Sequence, residues 1–156
     1  MLARTKVLQT IKDGKLKLDL RDMKIEVNYV KSISKIGKRA EIFIWSKDEV
    51  EILLYPTATL FSVRHELCHA KLFRMGIPLT NTETDLKMFP DAGDYLRMVV
   101  ITEWYINELQ KKFFNEYYIV DEIGTPRPPP FSDLPQLPDG KFTSTQIEHI
   151  VKIAKI

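Results

Sequence analysis

The sequence is short of the residues on which most site chemistry depends. It has three histidines and one cysteine among 156 residues. A lone cysteine, Cys68, excludes an internal disulfide and fits a reducing, cytoplasmic setting. Long apolar runs are missing too. No window approaches the roughly 18 apolar residues of a bilayer span. The opening MLARTKVLQTIKDGK holds no continuous apolar core of signal-peptide type, so a membrane is not expected as a partner. Nor is there a surplus of one charge sign: 23 basic and 21 acidic residues leave +2. That balance is too even to imply nucleic acid or an anionic surface as a required partner. What is present, 44% hydrophobic and 28% charged residues, is the composition of a globular chain long enough to bury a core.

The first half reads mostly as strands. KLKLDL (15–20) and KIEVNYV (24–30) alternate apolar and polar positions, the second with Ile25, Val27 and Tyr29 on one face. AEIFIW (40–45) and VEILLY (50–55), joined by the polar SKDE, form a hairpin candidate. Residues 1–13 suit a helix or the first arm of a hairpin equally well. After Pro56 the period changes. Thr57 is placed to cap a helix over about 58–75, which Gly76 and Pro78 end. LTNTETDLK (79–87) reads as a polar loop, and Asp91 as the cap of a long helix over about 91–115.

The tail differs. Pro126, Pro128, Pro129, Pro130, Pro135 and Pro138, six of the nine prolines, exclude regular helix or central strand and predict an extended strap. Thr143 with Gln146 has the pattern of a capping box opening a short amphipathic helix, with Ile147, Ile150, Val151 and Ala154 on its apolar face. The expectation is an α+β fold. Residues 1–124 form the main domain, and the strap and helix of 125–156 dock on it.

Two of the three histidines stand together in SVRHELCHAKLF. On a helix His65 and His69, four apart, share a face and can turn ring nitrogens to one point. Zinc accepts such nitrogens at about 2.0–2.1 Å. Glu66, one step round the helix, can lean over the open side of such a metal and serve as a general base toward water. This is the His-Glu-x-x-His pattern. A catalytic zinc needs a third protein ligand. Glu103 is the better candidate, because it interrupts the apolar run LRMVVITEWYINEL. A carboxylate buried there must be paired or bound to metal. Glu108 is the fallback, and His149 is the one remaining histidine. Asn107, one turn after Glu103, can accept the ring N–H of a metal-bound histidine and so fix its tautomer. Cys68 reads as a buried, inert thiol.

The segment His65-Glu66-Leu67-Cys68-His69, with a helical Glu103 and Asn107 four residues later, resembles the gluzincin metallopeptidases. It is most similar to the small archaeal minigluzincins and to ImmA/IrrE-type proteins. The likeness covers roughly residues 38–115. It implies a small twisted, mainly antiparallel sheet packed on an active-site helix and a glutamate helix. It implies peptide-bond hydrolysis with Zn2+ held by His65, His69 and Glu103, with Glu66 as catalytic base and a peptide or protein as substrate. It also implies an edge strand, here from Ala40 through Glu41, Ile42 and Phe43, to which an extended substrate adds as a further strand. Such families stabilise the oxyanion with a Tyr, His or Arg; Tyr95, Tyr117, Tyr118 and His149 are candidates between which the pattern does not choose. The isoleucines, lysines and prolines are a compositional hint of a heat-adapted source.

Two further expectations follow. A proline-dense strap tethered close to the site can lie across the cleft and keep an enzyme latent, with residues 126–142 as the lock. The competing functional reading is a zinc-containing regulatory or binding module with little or no proteolysis. A DNA-associated SprT-like protease is disfavoured by the balanced charge and the lack of a histidine in the right place downstream.

Overall fold

A computed structural model describes residues 1–80, 82–116 and 131–155. The described residues form an α+β fold with five α-helices and a three-stranded sheet, and the chain divides into two compact units, Met1–Lys71 and Leu72–Ile156.

The first unit opens with helix α1 (Arg4–Lys17). Val7, Ile11, Gly14 and Leu18 recur at helical spacing and are buried. That stripe overrides the alternation of KLKLDL, which was expected as a strand. Leu18 and Leu20 are buried, but Leu16 is 52% exposed, so the period of two fails at its first position. The helix ends where Asp19 takes the left-handed conformation (φ 56°) and Leu20 N–H donates to the Lys15 carbonyl at 2.8 Å. Lys15 and Lys17 in the last turn face the negative end of the helix dipole.

Strands β1 (Lys24–Tyr29), β2 (Ala40–Ser46) and β3 (Glu49–Leu54) pair in the order β1-β3-β2. The β2–β3 pair is the expected antiparallel hairpin. β1 joins the other side of β3 in parallel, so the sheet is mixed and not mainly antiparallel. Register is fixed by burial. Val27, Ile52 and Ile42 lie in one row, and Ile25, Val50 and Ile44 in the next. A slip of one residue would turn every one of them to the wrong face. The opposite face carries Glu26 beside Glu51, and Asn28 Nδ2 donates to Glu51 Oε2 at 2.7 Å. Between Ile44 and Ser46 the register shifts, and Trp45 sits there 61% exposed, stacked on Phe43 with ring centroids 5.9 Å apart.

Helix α2 (Leu60–Met75) begins in this unit. Its cap is Thr59, not Thr57. Thr59 Oγ1 accepts from Ser62 N–H at 3.2 Å, while Ser62 Oγ accepts from Thr59 N–H at 3.1 Å. This reciprocal pair satisfies two backbone donors at once.

In the second unit α2 ends as expected. Gly76 adopts φ 112°, and Ile77 N–H donates to the Leu72 carbonyl at 3.0 Å. The stretch expected as a polar loop contains a helix, α3 (Thr82–Met88). Buried Asp85 anchors it by accepting from Thr80 N–H at 2.7 Å and Thr80 Oγ1 at 3.3 Å, and Glu83 and Asp85 favour its positive end. Helix α4 (Ala92–Phe114) is capped by Asp91, which accepts from Asp94 N–H at 3.0 Å. It buries Met98, Ile101, Thr102, Tyr105, Ile106, Leu109 and Gln110 along one side.

The strap is described from a short 3-10 turn at Phe131–Asp133 onward; the expected lock residues before it lie outside the described residues. Residues 131–142 anchor on this unit. Tyr105 Oη donates to the Pro135 carbonyl at 2.6 Å, Phe142 N–H donates to the Met75 carbonyl at 2.9 Å, and the Tyr105 and Phe142 rings meet edge to face at 5.2 Å. Helix α5 (Ser144–Ala154) opens with the complete Thr143–Gln146 capping box and buries Ile150, Ile153 and Ala154. Arg97 Nε donates to the Ala154 carbonyl at 2.8 Å and ties α5 to α4. Among the described residues no helix is long and apolar enough to cross a membrane.

Candidate metal centre

Residues 60–75 form a helix because Leu60, Val63, Leu67 and Ala70 recur three and four residues apart, so His65 and His69 emerge one turn apart. Their rings lie 5.2 Å apart, centroid to centroid, at 66°. Both are half-buried. Glu66, about 100° round the helix from His65, is buried at 7% exposure. Cys68 is fully buried, as the sequence suggested.

The third member comes from α4. One ligand atom each from His65, His69 and half-buried Glu103 lie within 4.8 Å of one another. Ligand atoms around a tetrahedral zinc at 2.0–2.1 Å stand about 3.4 Å apart. Two imidazole nitrogens and one carboxylate oxygen are the donor set of a site that keeps a fourth position open. The residues present therefore fit a divalent metal, and the chemistry of the donors suits zinc.

Asn107 lies one turn beyond Glu103, about 40° round α4. Its Oδ1 is buried, and among the described residues it has no hydrogen-bond partner. The expected bond to a histidine ring is therefore not made in this structure. A buried acceptor left unpartnered beside a ligand group costs free energy.

The other candidates fall elsewhere. Glu108 pairs with Lys111 Nζ at 3.5 Å and is about 140° from Glu103 round the helix. His149 is engaged by Asp133, Nε2 to Oδ2 at 2.9 Å. Tyr95 is half-buried on the first turns of α4; Tyr117 and Tyr118 lie outside the described residues. The proposed substrate strand β2 is at a sheet edge. Ala40 and Ile42 share the core face with Ile44, while Glu41 and Phe43 turn to the other face. Glu41 is already partnered, accepting from Lys38 Nζ at 3.0 Å and Tyr55 Oη at 3.2 Å. Burial, and after it the Glu41 carboxylate, raise the Tyr55 phenol above its ordinary pKa, so it stays a donor at neutral pH.

The described strap has polar contacts with α4. It is held at Tyr105, and Asp139 pairs with Lys112 Nζ at 3.1 Å. Those two positions are about 200° and 180° from Glu103 round the helix. Leu96 and Val100, in contrast, share Glu103's side and are 60% and 52% exposed. The sequence reading missed both. It took the apolar run as buried on most sides, although their spacing of three and seven residues before Glu103 places them on its face.

No protein-family model matches this chain, and no curated protein or solved structure matches it.

Proposed function

We propose that the chain is a zinc-dependent endopeptidase of gluzincin type. The observation that carries this reading is the convergence of His65, His69 and Glu103 from two helices, with buried Glu66 next to the first ligand. Zinc held by these three residues supplies Lewis acidity, polarising a scissile carbonyl and making water a better nucleophile at neutral pH.

The remaining work belongs to the protein. Glu66 takes a proton from the attacking water and returns it to the leaving amine. Its burial, at 7% exposure, keeps the carboxylate out of bulk water. His65 and His69 would hold the metal through ring nitrogens, and a hydrogen bond from one ring to Asn107 Oδ1 would set that ring's tautomer. The substrate is a peptide or protein segment, which would add along Ala40–Phe43 of β2, the strand at the sheet edge among the described residues. Buried Cys68, which forms no disulfide, suits a reducing, cytoplasmic setting.

Glu66→Gln tests the assignment. It should keep the metal and lose cleavage of an unfolded protein substrate. Cleavage that survives removes Glu66 as base. A wild-type chain that holds zinc and binds a protein partner without cutting it would transfer the site to the binding-module reading.

A further inference from the structure

The segment between β1 and β2, residues 30–39, reads VKSISKIGKR and lies wholly in the first unit. Both its ends are pinned to the end of β3. Val30 N–H donates to the Leu54 carbonyl at 2.9 Å, and Tyr55 N–H donates to the Arg39 carbonyl at 3.0 Å. Between these bonds the chain turns at Ser34–Gly37. Gly37 N–H donates to the Ser34 carbonyl at 3.2 Å, Ile36 N–H donates to Ser34 Oγ at 3.3 Å, and Gly37 takes φ 77°. The turn puts Lys35 and Ile36 at its tip. A Cβ at Gly37 would meet nothing within 4 Å, so the tip stands clear of the described chain around it.

The side chains of this loop are of two opposed kinds. Ile33 and Ile36 are 69% and 78% exposed, while the neighbouring strands already fill the core with Val27, Ile42 and Ile44. Around the isoleucines stand Lys31, Lys35, Lys38 and Arg39, with no acidic residue in the segment. Lys38 pairs with Glu41 at 3.0 Å. Lys31, Lys35 and Arg39 are exposed and join no ion pair among the described residues. The +2 of the whole chain averages this cluster away.

We infer that the 31–39 loop docks on an anionic lipid surface. Ile33 and Ile36 enter the boundary between headgroups and acyl chains, and Lys31, Lys35 and Arg39 meet the lipid phosphates. A partner offering negative charge alone would leave both isoleucines in water, and a purely apolar partner would gain nothing from the cations. A bilayer with acidic lipids offers a charged layer outside and hydrocarbon beneath it. The long stems of lysine and arginine keep their charges at headgroup level while the isoleucines go deeper. Two isoleucines are a small anchor, so the attachment is reversible. The sequence reading set a membrane aside on spanning length and net charge, and neither bears on a peripheral contact of this size. The inference uses no residue of the metal centre and stands or falls without it.

The test is co-sedimentation of the full-length chain with vesicles of phosphatidylcholine alone, or of phosphatidylcholine with about one-third phosphatidylserine. The wild type should partition onto the mixed vesicles at least about tenfold more strongly than onto phosphatidylcholine, and added salt should weaken that binding. Lys31→Gln/Lys35→Gln and Ile33→Ser/Ile36→Ser should each lower the partition coefficient by about tenfold or more. All four side chains are exposed, so far-UV circular dichroism should be unchanged. Should a double variant fail to fold, Ile36→Ser alone, at the tip, should still cost about threefold or more.

No binding to the mixed vesicles overturns the inference. Vesicle binding that the isoleucine substitutions leave unchanged also overturns it, because the contact would then be electrostatic only. A chain that ignores vesicles but holds an oligonucleotide, with an affinity lowered by Lys31→Gln/Lys35→Gln and not by Ile33→Ser/Ile36→Ser, overturns it in favour of nucleic acid.

Discussion

Asn107→Leu should act in opposite directions on the metal-free and metal-loaded protein. Leucine has nearly the shape of asparagine, so packing is kept. In the structure Asn107 Oδ1 is buried and, among the described residues, accepts no hydrogen bond. A buried acceptor in that state costs about 1–3 kcal/mol. Removing it should stabilise the metal-free chain by about 1 kcal/mol, since part of the gain is lost with the rest of the amide. For a chain of this size that is a rise of about 2–4 °C in Tm. With zinc present, the same amide is expected to turn to a histidine ring, and losing such an outer bond lowers metal affinity about 10–100-fold. The assays are thermal unfolding in chelator and zinc competition against a chromophoric chelator. A leucine variant that is less stable without metal would show that the amide already makes a necessary bond. Unchanged zinc affinity would remove Asn107 from the metal site.

Three other outcomes are expected. Glu66→Gln should retain zinc by elemental analysis and lose hydrolysis by several orders of magnitude, measured on an unfolded protein substrate. Thr59→Ala should cost about 1 kcal/mol in denaturant unfolding by breaking the reciprocal cap with Ser62; no loss would place the helix start elsewhere. Gly76→Ala should cost about 1–3 kcal/mol, because φ 112° disfavours a side chain and the new Cβ would meet Ile147 Cδ1 at 3.2 Å; a neutral result in the same assay would mean that the turn relaxes freely.

How far the sequence could be read depended on the range of the interactions that decided each element. The β2–β3 hairpin and the capping box at Thr143 were legible because alternation and capping are local. The pairing of β1 with β3 was not, since nothing in KIEVNYV states whether its neighbour runs parallel or antiparallel. KLKLDL was misread because six residues of alternation compete with a longer helical stripe through Val7, Ile11 and Gly14. The 79–87 stretch looked like a loop because polar residues hide a contact that orders it, Asp85 accepting from Thr80. At the site, His65 and His69 were legible from spacing alone, and Glu103 from a carboxylate set in an apolar run. The same run concealed Leu96 and Val100, because apolar residues on a helix suggest burial, and only the folded chain shows that these two stay in solvent.

The most direct test of the central claim is zinc per chain by elemental analysis, on full-length protein purified without chelator, with Glu103→Ala alongside. The account predicts about one zinc per chain, lost or readily stripped in the variant, because Glu103 supplies the third ligand atom of the group. A wild-type chain that carries no zinc and takes up none when it is added would contradict it.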